Sequence, residues 1–354
     1  MNTWKENIRK VVPYTPGEQP KRDNIIKLNT NENPYPPTPK AIEAAASFDM
    51  DLLRKYPDPS ASLLVDELAK KYGLKPSQVF VGVGSDDVIS MAFLTFFNGK
   101  KPILFPDISY CFYSVWADVY RIPYETPALD ENFRIRKEDY FRENGGIIFP
   151  NPNAPTGVYE DLEFIEDIVS HNQDSVVIID EAYIDFGGKS ALELTKKYEN
   201  LLIVQTFSKS RSMAGLRIGF AMGSETLIQA LNDVKFSINS YTMNQYAINL
   251  GVWAVKDEAY FQRCVNKIIK TREESKRRLK ELGFTFPDSM ANFIFAAHET
   301  IPAKQIFEAL REAGIYVRHF DAPRIDNYLR ITVGTDGEME VLFGFLEEYL
   351  KKYL

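Results

Sequence analysis

A lysine set among hydroxyl groups, Thr206-Phe207-Ser208-Lys209-Ser210, is followed by an arginine and glycines in Ala214-Gly215-Leu216-Arg217-Ile218-Gly219. A neighbouring cation and burial favour the uncharged amine that imine chemistry needs, so Lys209 reads as a nucleophile rather than a solvated charge. Ser208 and Arg217 add a hydrogen bond and a positive charge, the pair a phosphate requires. A second signal is Ile178-Ile179-Asp180-Glu181-Ala182-Tyr183, where an apolar run ends on an acid. An ionised aspartate there is costly unless a cation meets it; a protonated pyridine nitrogen would be such a partner, and a loop-opening surface aspartate is equally compatible.

Three further segments are weaker alone. Gly82-Val83-Gly84-Ser85-Asp86-Asp87 precedes the helical pattern Val88 to Phe97, and such glycines free backbone N–H groups to face an anion. Asp87 stands where the dinucleotide fingerprint has its third glycine, and the Lys-Ser/Thr of a P-loop is missing, so a capped helix with acids at its positive end fits as well. Pro106-Asp107-Ile108-Ser109-Tyr110 opens a helix and offers the Tyr110 ring as a platform or as packing. Asn151-Pro152-Asn153-Ala154-Pro155-Thr156-Gly157 fixes a tight loop.

Each of these segments follows a short apolar run: 79–81, 102–105, 146–149, 176–179 and 201–204. Strands apolar on both faces and alternating with helical patterns predict a mostly parallel sheet covered by helices, with ligands beyond the carboxyl ends of its strands. Helices are expected from Thr38, a cap with Pro39 behind it, and from Ser60 to Gly73. After about Ser224 the texture becomes charged and helical through Leu282, then mixed to the end, which predicts a smaller α+β domain. The expected division is an N-terminal arm over 1–37, rich in Pro and Asn, a large domain over 38–240 and a small domain over 241–354.

Composition narrows the classes. The chain has 354 residues, 45% hydrophobic and 26% charged, and a net charge of −7, which leaves no electrostatic footprint for nucleic acid or an anionic membrane. No basic start followed by an apolar run and no membrane-length apolar stretch is present, so a cytoplasmic location is expected. Cys111 and Cys264 are far apart and are expected as buried, reduced thiols; His171, His298 and His319 are equally scattered, so neither a metal site nor a serine–histidine triad is predicted.

Taken together, Asn31-Glu32-Asn33-Pro34, Lys55-Tyr56-Pro57, Gly84 to Asp87, Asn151 to Gly157, Asp180 to Tyr183, Ser208-Lys209, Ala214 to Arg217 and Leu329-Arg330-Ile331-Thr332-Val333-Gly334 resemble fold-type I pyridoxal-phosphate enzymes. Nearly the whole chain resembles the class II aminotransferases, and among them the histidinol-phosphate aminotransferases. The resemblance implies an α/β fold with pyridoxal 5′-phosphate bound through Lys209. It further implies Asp180 on the ring nitrogen, Tyr183 on the ring oxygen, Tyr110 stacked on the ring, and Ser85, Asp86, Ser208 and Arg217 around the cofactor phosphate. That family usually has asparagine immediately before Pro-Thr-Gly; here the position is Ala154, and Asn153 is the expected substitute.

For the substrate, the resemblance implies Arg330, with Arg318 and Tyr14, as an anion site, and Tyr56 donated by the other subunit of a homodimer. The implied reaction converts L-histidinol phosphate and 2-oxoglutarate into imidazole acetol phosphate and glutamate. A threonine-phosphate decarboxylase and an aromatic aminotransferase are the nearest alternatives. A pyridoxal-phosphate-binding regulatory module and a dinucleotide-binding oxidoreductase are more distant.

Overall fold

The computed structural model describes residues 3–15, 17–21 and 24–352. Its centre is a seven-stranded sheet in the order Val79–Gly82, Gly219–Met222, Leu201–Thr206, Val177–Asp180, Ile147–Pro150, Ile103–Leu104 and Tyr124–Glu125. Six strands run one way, and only Gly219–Met222 is antiparallel to both of its neighbours. That reversed strand was not expected from the sequence, where the apolar run Ile218 to Met222 is hidden behind the arginine and glycine motif.

Alternate residues of each strand feed two cores. Ile147, Phe149, Val177, Ile179, Leu201 and Ile203 pack on one face, and Ile148, Ile178, Leu202 and Val204 on the other. With helices on both faces, the strands are buried on both sides, and each fully buried aliphatic side chain contributes about 1.5–3 kcal/mol.

The helices start and stop where local chemistry dictates. Thr38 caps Pro39–Ala46 by accepting from Lys40 N, and Gly73, at φ 66°, ends Ser62–Tyr72. The charged region after Ser224 is three helices, Glu225–Ile238, Gln245–Lys256 and Glu258–Glu281. Asn244 caps the second, and Asp257 both closes the second and caps the third.

A second sheet is wholly antiparallel, in the order Arg318–His319, Leu329–Thr332, Phe293–His298 and Phe284–Thr285. Helices Ala303–Glu312 and Asp336–Leu350 share its core. The arm is tied to this part of the chain: Ile26–Lys27 pairs in parallel with Ile315–Tyr316. Among the described residues, no helix is long and apolar enough to cross a membrane. Cys264 is buried as expected, whereas Cys111 is exposed, because it sits at the cap of helix Phe112–Tyr120 rather than inside it.

Candidate active site

The common direction of six strands brings their carboxyl ends to one edge of the sheet, and the reversed seventh brings its amino end there. Gly82, Pro150, Asp180 and Thr206 end strands at this edge, and Gly219 begins one. Arg217, two residues before Gly219, therefore faces the same space as Lys209. The approach is tight. A Cβ on Gly219 would lie 2.3 Å from the Gly84 carbonyl carbon, and one on Gly84, already at φ 89°, would lie 2.5 Å from Arg217 Nη2. Only glycine fits at either position.

The cavity at this edge, about 180 Å³, is lined by Ser85, Asp86, Tyr110, Asp180, Tyr183, Ser208, Lys209 and Arg217, all expected from the sequence. A larger cleft, about 550 Å³, lies elsewhere between Phe48, Leu63 and Trp253, but it presents no lysine, acid and phosphate-binding set of this kind. The chemistry of the smaller one decides between them.

Lys209 Nζ donates to the Thr30 carbonyl at 3.2 Å and lies 5.8 Å from the centre of the Tyr183 ring. Asp180 is buried, which pushes its carboxyl up to about 6; hydrogen bonds from Tyr113 Oη to Oδ2 (2.9 Å) and from Ala182 N to Oδ1 (3.2 Å) act in the opposite direction. A buried carboxylate with two donors and, among the described residues, no cation in contact fits a protonated ring nitrogen as its partner.

On the opposite side, Asp86 joins two expected groups: Tyr110 Oη donates to Oδ1 at 2.7 Å, and Arg217 Nη2 to Oδ2 at 3.1 Å. Arg217 Nη1 also reaches Ser208 Oγ at 3.4 Å and the Ala214 carbonyl at 3.2 Å. With the N-terminus of helix Ser85–Phe96 opening between them, these groups form a cup that suits a phosphate. Burial, followed by the Asp86 carboxylate, keeps the Tyr110 phenol protonated. The donor set as a whole fits pyridoxal phosphate.

Arg318 and Arg330 stand directly opposite each other on neighbouring antiparallel strands. Like charges so placed repel unless an anion lies between them. Arg330 Nη2 donates to the Asn29 carbonyl at 2.9 Å, its Nε is buried without a partner, and neither arginine meets a carboxylate among the described residues. Burial lowers the affinity of Arg330 for its proton; the Tyr183 and Tyr14 phenols oppose this and Arg318 adds to it. Tyr14, half-buried, packs its ring 4.3 Å from that of Phe112.

Five expected residues do not line the cavity: Tyr14, Arg318 and Arg330, just described, and Asn153 and Tyr56. Asn153 is buried in its own loop, where Nδ2 donates to the Ile108 carbonyl and to Thr156 Oγ1, both at 3.0 Å, and Ala154 lines the wall instead. Tyr56 is 82% exposed and stacks on Tyr241, with ring centres 4.6 Å apart, away from this chain's own cavity.

Sequence reasoning missed three residues here. Tyr113, the donor to Asp180, lies one helical turn after Tyr110, a spacing that could have revealed it. Asn31 Nδ2 donates to Tyr183 Oη at 2.9 Å, and Asn33 Nδ2 to the carbonyls of Lys209 (2.9 Å) and Ser210 (3.1 Å). Their motif was recognised, but nothing local indicated what the two amides would hold.

Comparison with known proteins agrees with this geometry. The chain is 51% identical to the histidinol-phosphate aminotransferase of Lactococcus lactis subsp. cremoris strain MG1363, over 99% of this chain and 98% of that protein. It is 52% identical to histidinol-phosphate aminotransferase 1 of Hydrogenovibrio crunogenus, over 98% of each. Among solved structures, the histidinol-phosphate aminotransferase of Sinorhizobium meliloti in complex with pyridoxal-5′-phosphate superimposes with a TM-score of 0.85 at 22% identity, over 93% of this chain and 92% of that one. The L-threonine-O-3-phosphate decarboxylase of Porphyromonas gingivalis superimposes with a TM-score of 0.77 at 20% identity, over 92% of this chain and all of that one, so likeness at this level speaks for the fold alone. The sequence model for aminotransferase class I and II matches residues 23–346, and the chain belongs to that family.

Proposed function

We propose that this chain transfers the amino group of L-histidinol phosphate to 2-oxoglutarate, giving imidazole acetol phosphate and L-glutamate, with pyridoxal 5′-phosphate bound through Lys209. The observation that carries the reading is the pair of opposed arginines, Arg318 and Arg330, of which Arg330 interacts electrostatically with Tyr183 in the wall of a cavity that holds a lysine, a buried aspartate and a separate phosphate cup. Two anion sites in one cleft suit a phosphorylated cofactor together with an anionic substrate. Identity of about half over nearly the full length with histidinol-phosphate aminotransferases favours transamination over the decarboxylase and aromatic alternatives.

When bound, the cofactor supplies an electron sink for the negative charge left at the substrate carbon on loss of its proton. Asp180 would hold the proton on the ring nitrogen, and Tyr183 would donate to the ring oxygen. Ser85, Asp86, Ser208 and Arg217 would hold the cofactor phosphate, and the Tyr110 ring would support the cofactor ring. Lys209 would hold the cofactor through Nζ and, as a free amine, would serve as the base for the proton of the substrate carbon. Arg330 and Arg318, with Tyr14, bind the substrate phosphate in one half-reaction and a 2-oxoglutarate carboxylate in the other.

The proposed assembly is a cytoplasmic homodimer in which the exposed Tyr56 reaches the partner's anion site. Support comes from exposed apolar side chains close to it in sequence, Met50 and Leu53, and close to its stacking partner Tyr241, Ile238.

The test is a substrate panel. Glutamate should form from 2-oxoglutarate with histidinol phosphate, and borohydride should abolish the visible absorption of the purified protein. Carbon dioxide released from threonine phosphate, with no glutamate formed, would overturn the reaction. Lys209→Ala retaining the borohydride-sensitive band would overturn the assignment of the lysine.

A further inference from the structure

The Tyr183 hydroxyl can donate its single proton in one direction only. A phenol oxygen that already accepts a hydrogen bond is oriented by it, and its own hydrogen then points away from that donor. In this chain the donor is the Asn31 amide, at 2.9 Å. The amide's orientation is itself fixed, because Thr332 Oγ1 donates to Asn31 Oδ1 at 3.1 Å while accepting from Asn31 N at 3.0 Å. In the reverse orientation the buried Thr332 hydroxyl would lose its acceptor. Asn292 Nδ2 further holds the Asn31 carbonyl at 3.0 Å, and the Asn31 backbone is left-handed, at φ 57°. Asn31, Thr332 and Asn292 are all buried.

A second observation gives this contact its significance. The wall of the cavity carries Ala154, which has no amide, and the neighbouring Asn153 Nδ2 already donates to the Ile108 carbonyl and to Thr156 Oγ1. Tyr183 is left to serve the cofactor's ring oxygen without a flanking amide. We propose that Asn31 is a positioning residue for Tyr183: its amide occupies the phenol oxygen as a donor and so commits the phenol proton to the cofactor's ring oxygen. The proposal rests on the cofactor reading above. The charged and titratable groups that face Tyr183 are Lys209, Arg330, Tyr110 and Tyr113, from four different elements.

The test reads the holoenzyme's visible absorption as a function of pH. The band titrates as the proton between the lysine-linked nitrogen and the ring oxygen is lost, and a hydrogen bond donated to that oxygen stabilises the deprotonated form. Losing the bond therefore moves the midpoint up. Asn31→Gly keeps the left-handed backbone accessible and deletes the amide; its midpoint should rise by about half a unit to one unit. Asn31→Asp tolerates the same backbone, turns the donor into an acceptor, and should raise the midpoint at least as far. It carries the test if the glycine variant folds poorly. Tyr183→Phe should raise the midpoint by itself, and adding Asn31→Gly in that background should change nothing more.

An unmoved midpoint in Asn31→Gly, or an equal rise with and without the Tyr183 hydroxyl, would overturn the proposal. If Tyr183→Phe alone leaves the midpoint in place, Tyr183 is not the ring-oxygen donor, and the role of Asn31 falls with it. A protein with no borohydride-sensitive band would instead sink the cofactor reading.

Discussion

Two arginine sites of opposite character serve the candidate site, Arg217 in the cavity wall and Arg330 within electrostatic reach of Tyr183. Arg217 already has its partners, with Asp86, Ser208 and the Ala214 carbonyl all in contact. Arg330 and Arg318 oppose each other across a strand pair, and the Arg330 Nε has no partner. A site whose polar groups are satisfied from within is rigid and suits a resident group. A site whose donors are left over suits a visitor, and the mutual repulsion of its charges is relieved only while the visitor is bound. The difference separates holding a cofactor from exchanging one anion for another.

The sharpest way to break this contrast is Arg330→Leu. If the pair is the visitors' site, kcat/KM should fall for histidinol phosphate and for 2-oxoglutarate alike, by about 2–5 kcal/mol in transition-state stabilisation, with cofactor content unchanged. Loss of the cofactor instead would merge the two sites into one. Arg217→Leu should do the reverse, weakening cofactor binding by about 1.5–3 kcal/mol while saturating cofactor restores most of the turnover. Equilibrium dialysis of the cofactor beside steady-state kinetics separates the outcomes.

A smaller effect sharpens the resident side. Burial raises Asp180 to about 6, so it is ionised above that pH and neutral below it. Affinity of the cofactor-free protein for pyridoxal phosphate should therefore decline as pH falls through about 6, by no more than about tenfold per unit. Because the folded-state value is raised, the Asp180 contribution to stability of the cofactor-free protein is present below the ordinary carboxylate range and is lost as pH rises through about 6. Tyr113→Phe removes a bond that favours the carboxylate, so the decline in affinity should begin at higher pH. A decline at the same pH in this variant would show that the Tyr113 contact is packing alone.

How much of this was legible depended on distance along the chain. The apolar strands and the polar residues that follow them are local signals, and Lys209, Asp180, Tyr183, Tyr110, Ser85, Asp86, Ser208 and Arg217 meet in the cavity as expected. The reversed strand Gly219–Met222 was not legible, because strand direction leaves no mark in an apolar run. Asn153 was the natural substitute by proximity, yet its Nδ2 is already engaged by the Ile108 carbonyl and Thr156 Oγ1. Asn31 carries no periodic pattern, and its reach to Tyr183 depends on the arm first pairing with the strand at Ile315–Tyr316.

The reversed strand has a consequence for the order in which the cleft is assembled. Thr206 pairs with Gly219, so Lys209 and Arg217 ride one short connection between adjacent strands. Bringing Asn31 to Tyr183 closes 152 residues, which by the logarithmic scaling of loop closure costs about 2–3 kcal/mol more chain entropy than joining the two cations. Lys209 and Arg217 can therefore come together as one local unit before Asn31, from the distant arm, joins Tyr183.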